Sequence, residues 1–169
     1  MTAPGLQIYE ADECDGEVIA AVQGLVPQLS TSAALPSPEQ VAELCDSEAT
    51  VLLLARLDGA IVGMLVLVLF RLPTGMRAWI EDVVVEGSVR GTGVGEALTL
   101  EALQRAVAAG AVTVDLTSRP SREAAIRLYE RMGFERRETG VYRWRGGVDG
   151  VSAGEPRSGA DARSRGGEA

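Results

Sequence analysis

The stretch WIEDVVVEGSVRGTGVGEA, residues 79–97, runs from one kind of local order into another. It begins as an apolar, β-branched run, WIEDVVV, broken by two acids. Glycines follow at 87, 91, 93 and 95, and a long helical pattern opens behind them. Glycine clusters of this kind let backbone N–H groups close on something, often a phosphate. Gly91, Gly93 and Gly95 remove Cβ atoms, so consecutive N–H groups can approach an anion. The first N–H groups of the next helix are unpaired and carry partial positive charge. Arg90 adds a formal charge. The competing reading is a tight glycine turn that packs helix against strand.

Two familiar phosphate loops do not fit. A P-loop requires Gly-Lys-Ser/Thr, and this chain has no Lys; all sixteen of its basic residues are Arg. The dinucleotide fingerprint G-x-G-x-x-G must sit at the strand-to-helix turn. Counted from Gly91 its sixth position is Glu96, and from Gly93 it is Leu98. Asp115 follows at a suitable distance, but the glycine register is wrong and the loop starts several residues after the strand. A nucleotide-binding oxidoreductase is therefore a distant rival.

The flanking pattern alternates strands and helices. LQIYEA, residues 6–11, reads as a strand. Residues 12–29 carry apolar side chains at helical spacing, with Asp12 as candidate N-cap. Ser37-Pro38-Glu39-Gln40 is a helix start for a short helix to Cys45. Asp58-Gly59 between apolar runs predicts a β-hairpin. Residues 78–85 form another strand. A helix is expected over 93–109, with Val94, Ala97, Leu98, Leu100, Ala102, Leu103 and Val107 on its apolar side. A strand over 111–117 and a helix over 121–132 follow, with Gly133 as the C-terminal glycine. Residues 134–144 resemble a last hairpin around Thr139-Gly140. From Gly146 the chain is rich in Gly, Ser and Ala, and it is expected to be a disordered tail. The expected organisation is one domain over 1–145 and the tail over 146–169. A central hairpin between helices argues for a mixed α/β class rather than a doubly wound sheet.

Composition narrows the chemistry. With 169 residues and 46% hydrophobic content, one domain with a substantial core is expected. No run is long and apolar enough to span a bilayer, and the N-terminus lacks the basic region of a signal peptide. A cytoplasmic protein with no membrane partner is the expectation. Cys14 and Cys45 read as core positions of the first two helices, with a disulfide possible only in an oxidising compartment. With no His and two distant Cys, no metal site is expected. The missing His also removes the usual general base and the serine-triad partner. The net charge of −8 argues against nucleic acid. Nine acids precede the first Arg, Arg56; from there to Arg145 thirteen Arg face eleven acids. Two ligand surfaces of opposite preference, or simply solvated helix faces, would account for this.

Arg90-x-x-Gly93-x-Gly95, opening a helix after an apolar strand, resembles the acyl-CoA pyrophosphate loop of the GCN5-related N-acetyltransferase (GNAT) family. WIEDVVV before it and PSREAAIRLYERMGF after it lie where that family has its fourth strand and fourth helix. The resemblance runs from about residue 51 to 144. It implies an acyl-CoA N-acyltransferase fold: a twisted, mostly antiparallel sheet of about six or seven strands, splayed between strands 4 and 5, with about four helices. It implies acetyl-CoA as co-substrate, a small-molecule amine as acceptor, no metal, and a possible homodimer. Arg90, Gly91, Thr92, Gly93, Val94, Gly95 and Glu96 would cradle the pyrophosphate. Val83, Val84 and Val85, on a strand that usually bulges, would offer backbone groups to thioester and pantetheine. The family often carries Asn three residues before the Ala-Ile pair; here that position is Arg122, and Ser121 or Arg122 would take over its contact. Arg127 and Arg131 would meet the phosphates or simply solvate the helix.

Two residues are candidates for proton transfer. Tyr129, where the family has a tyrosine, would protonate the leaving thiolate; a phenol of pKa ~10 matches that task. Glu81 and Asp82 alternate and so face opposite sides. The resemblance favours Glu81, because family enzymes often carry a catalytic acid at this strand position: it would accept the proton of the attacking ammonium, of pKa near ~10, directly or through water, or would bind that ammonium, while Asp82 is left for a structural role. The acceptor mouth, built in the family by the first two helices, would gather the acids of the N-terminal third. A cationic amine on a small metabolite, an amino acid or an aminoglycoside-like compound would suit it. The rival class is a non-catalytic acyl-CoA-binding sensor or interaction domain on the same fold.

Overall fold

The computed structural model describes residues 3–30 and 32–144, so the expected tail lies outside the described residues. The order is β1 (Gln7–Glu10), α1 (Gly16–Leu29), α2 (Pro38–Cys45), β2 (Thr50–Leu57), β3 (Ala60–Leu72), β4 (Gly75–Val85), a 3-10 turn (Gly87–Val89), α3 (Val94–Ala108), β5 (Ala111–Leu116) and α4 (Glu123–Arg131). The five strands form one sheet in chain order. The first four pair antiparallel, and β5 pairs parallel to β4.

Local chemistry sets the element ends. Asp15, not Asp12, caps α1: its carboxylate accepts from the Val18 N–H at 2.9 Å. Asp12 stands a turn too early to reach those free N–H groups. Ser37 and Gln40 close a reciprocal capping box on α2, with Pro38 at its first position. Asp58 and Gly59, at φ of 50° and 87°, make the tight turn between β2 and β3.

The sheet carries helices on both faces. One face holds Leu52, Leu54, Met64, Val66 and Val84 against Val18, Val22 and Leu25 of α1 and Val41 of α2. On the other, a Cβ at Gly63 would lie 3.2 Å from Leu98 and 3.3 Å from Val94, so α3 lies close against β3. Leu98, Ala102 and Ala106 are fully buried there. Leu100 and Val107, expected on the apolar side of this helix, are half or more exposed. Thr99 takes a buried place instead, its hydroxyl donating to the Gly95 carbonyl at 2.7 Å. That local bond satisfies the hydroxyl, so a polar residue fills the core stripe without an orphaned group.

Two further expectations are corrected. Cys14 and Cys45 are not independent core thiols but a disulfide, with Cα atoms 6.3 Å apart, joining the turn before α1 to the last residue of α2. Both also pack against the α1–α2 core. Residues 134–144, which fall in a separate compact unit, contain no strand. The charged run Glu135-Arg136-Arg137-Glu138 offers no apolar alternation, and an isolated two-stranded hairpin is marginal. The described residues therefore carry five strands, fewer than the number expected.

Candidate active site

The site grows from a fault in β4. Val66 pairs with Glu81, yet Met64 pairs with Val84, so three steps on β4 answer two on β3. The extra residue is a β-bulge, and Asp82 beside it adopts φ of 50°. Asp tolerates the left-handed region better than a β-branched residue would. The bulge reverses the alternation. Strict alternation from buried Ile80 would send Val84 to the α3 face; instead Val84 joins the α1–α2 core. Glu81, paired with Val66, belongs to that same α1–α2 face.

β5 pairs with β4 only from Met76 to Ile80. The end of β4 thus keeps an open backbone edge on that side. A cleft of about 350 Å³ lies there, lined by Val83, Val84 and Val85, by Arg90, by Gln28 from the last turn of α1, and by Ser121 to Ala125 at the start of α4. Of the residues expected to hold the donor, Val83, Val84, Val85, Arg90 and Ser121 come together here. Gly91, Thr92, Gly93, Val94, Gly95 and Glu96 lie just beyond, in the loop and the first turn of α3. Glu81 and Tyr129 lie outside the lining.

The loop has the features an anion cradle needs. Gly91 and Gly93 have φ of 81° and 92°, and Gly93 is the N-cap of α3 with no side chain covering the helix end. A side chain at Gly91 would be backbone-strained but would meet open space. At Gly95 a Cβ would lie 3.6 Å from Leu128 and 3.7 Å from Val85, so this glycine serves close packing of α3 on α4 and β4. Thr92 donates its hydroxyl to the Val89 carbonyl at 2.7 Å, closing the loop on itself. The Arg90 Nε donates to the Val85 carbonyl at 3.0 Å, placing the guanidinium at the cleft rim. A backbone edge, a cationic rim and an uncapped helix start suit an extended amide-bearing chain that ends in phosphates.

Arg122 accounts for its own departure from the family pattern. It stands at the N-cap of α4 without capping it, and its Nη2 donates to the Leu29 carbonyl at 2.8 Å. It therefore ties α4 to the free carbonyl end of α1, a favourable place for a cation. Tyr129 is buried in α4. Burial pushes its phenol above the ordinary value of 10.0, against a smaller downward pull from the Arg122 charge. Glu81 is exposed, and its Oε1 accepts the Trp79 indole N–H at 2.7 Å. Gln28 escaped the sequence reading: its amide donates to Glu86 at 2.6 Å and accepts from the Gly87 N–H at 3.0 Å. Nothing in its local sequence marks it, because its partners lie 58 and 59 positions away.

The profile of the acetyltransferase (GNAT) family matches residues 20–134. No curated protein matches the chain. Among solved structures, an acetyltransferase of Trypanosoma brucei is 24% identical, with 83% of this chain and 99% of that one covered and a TM-score of 0.69. A transcriptional regulator of Bacillus halodurans is 27% identical, with the same coverage and a TM-score of 0.68. An aminoglycoside acetyltransferase from an uncultured soil sample, in complex with sisomicin, is 18% identical, covering 84% and 96%, with a TM-score of 0.74.

Proposed function

The chain belongs to the acetyltransferase (GNAT) family and is an acyltransferase, and we propose that it moves the acetyl group of acetyl-CoA to a primary amine on a small cationic molecule. One observation carries the reading: the bulged end of β4 faces a cleft with its backbone edge open, next to the uncapped start of α3. In the proposed complex the pyrophosphate lies on the N–H groups from Gly91 to Glu96, with Arg90 beside them. The pantetheine runs along Val83 to Val85, and Ser121 takes the contact that Asn makes elsewhere. Arg90 leaves the Val85 carbonyl when the donor amides arrive.

Transfer is direct, in a ternary complex. Glu81 accepts a proton from the ammonium, and the free amine attacks the thioester carbon. A β4 N–H holds the developing oxyanion. The C–N bond forms, the C–S bond breaks, the thiolate takes its proton from Tyr129, and the tyrosinate recovers one from the nitrogen as it becomes the neutral amide. Cys14 and Cys45 are bonded to each other, so neither is available as a covalent relay. A phenol held above its ordinary value stays protonated at neutral pH, as a general acid must.

Two variants test the assignment with thiol release as readout. Gly93→Glu places a bulky anion where the pyrophosphate sits and abolishes donor binding. Tyr129→Phe binds acetyl-CoA normally but turns over about a hundredfold more slowly. An unchanged rate in Tyr129→Phe removes the general-acid assignment. The second reading is a non-catalytic acyl-CoA sensor. It is supported by Arg122 in place of Asn and by the likeness to the transcriptional regulator of Bacillus halodurans. Tight acetyl-CoA binding without transfer to any amine would establish it.

A further inference from the structure

We infer that Trp79 is a positioning residue for acetyl transfer, its indole N–H holding the Glu81 carboxylate in one orientation. The inference rests on the reading of Glu81 as the base. Trp79 and Glu81 are two residues apart on β4, paired with Val68 and Val66 of β3, so both side chains stand on the α1–α2 face. The Nε1–Oε1 distance of 2.7 Å is that of a charge-assisted hydrogen bond. Glu81 is exposed, and a free glutamate there would sample many rotamers. The indole is partly buried and turns about only two bonds, so it is the stiffer partner. With Oε1 engaged, Oε2 is the oxygen left to receive the amine proton.

The donor type fits the chemistry. An indole N–H donates only, so it steadies the carboxylate without competing for the proton. It is also neutral. An Arg at this position would hold the carboxylate equally well, but would repel a cationic acceptor. Asp82 instead shapes the backbone, with φ of 50° beside the bulge. The two adjacent acids thus divide into one that is aimed and one that shapes the strand.

Trp79→Phe keeps an aromatic ring, though a smaller one, and removes the donor. The expected result is a kcat lower by about tenfold with KM for acetyl-CoA unchanged. In a Glu81→Gln background the same substitution should cost nothing further, because it acts through that carboxylate. A separate readout needs no turnover: the indole N–H resonance of Trp79, identified by its loss in Trp79→Phe, moves when Glu81→Gln is made. Wild-type kcat in Trp79→Phe, an equal loss in both backgrounds, or an unmoved indole resonance overturns the inference while leaving the acetyltransferase reading intact. If the wild-type protein acetylates no amine, both fall together.

Discussion

At the residue scale, one acid is held by an indole and one phenol keeps its proton. Glu81 and Asp82 look equivalent in the sequence, where alternation alone separates them. The structure distinguishes them by backbone: Asp82 takes φ of 50° at the bulge, and Glu81 is fixed through Trp79. The bulge does not follow from spacing, since it depends on how β4 meets β3, whereas the Trp79–Glu81 contact uses the two-residue repeat of one strand face. Tyr129 makes a testable statement about pH. Below the ordinary phenol value of 10.0 it is protonated whether folded or unfolded, and contributes no pH dependence. Above that value the unfolded chain releases the proton while burial retains it in the fold, so stability falls as pH rises. Absorbance titration should show one tyrosine ionising later than an exposed phenol, and Tyr129→Phe should delete that late component. A titration that Tyr129→Phe leaves unchanged would contradict the buried placement.

At the element scale, most strands and helices could be read from the sequence because their signals are local. The Asp58-Gly59 turn, the Ser37 box and the apolar run of β3 each specify themselves within a few residues. Three features could not be read this way. Asp15 replaces Asp12 as the cap of α1 because only it reaches the Val18 N–H. Residues 134–144 form no strand: the Thr139-Gly140 turn signal is local, but the charged run before it lacks apolar alternation and pairing needs a partner edge. The disulfide joins positions 31 apart and depends on α1 and α2 packing together. Closing a loop of that length restricts the unfolded chain, and its loss typically costs about 2–4 kcal/mol. The double variant Cys14→Ser/Cys45→Ser should be less stable by that margin and unfold at a correspondingly lower denaturant concentration. Reductant should then leave the variant's midpoint unchanged while lowering that of the wild type. Equal midpoints for both proteins in oxidising buffer would show that the bridge contributes nothing.

At the scale of the whole molecule, the charge asymmetry read from the sequence is partly spent inside the fold. Glu17 pairs with Arg56 at 2.7 Å, and that guanidinium holds its carboxyl below the usual range; Glu10 pairs with Arg105. Two of the nine N-terminal acids are thus tied to the Arg-bearing part of the chain. The remaining acids still bias the surface that precedes Arg56. If that bias steers a cationic amine, kcat/KM for a dication should fall as salt rises, while a neutral acceptor shows little change. Equal salt dependence for both would remove charge steering from the account. No helix among the described residues is long and apolar enough to cross a membrane. The glycine loop and the strand before it were legible because both announce themselves locally; the cleft that joins Gln28, the end of β4 and the start of α4 was not, because it is assembled from distant segments. The most direct test of the central claim is a panel of amines offered with acetyl-CoA and read by thiol release. The expected result is amine-dependent release, strongest with cationic acceptors and absent in Gly93→Glu. Tight acetyl-CoA binding with no release for any amine would contradict it.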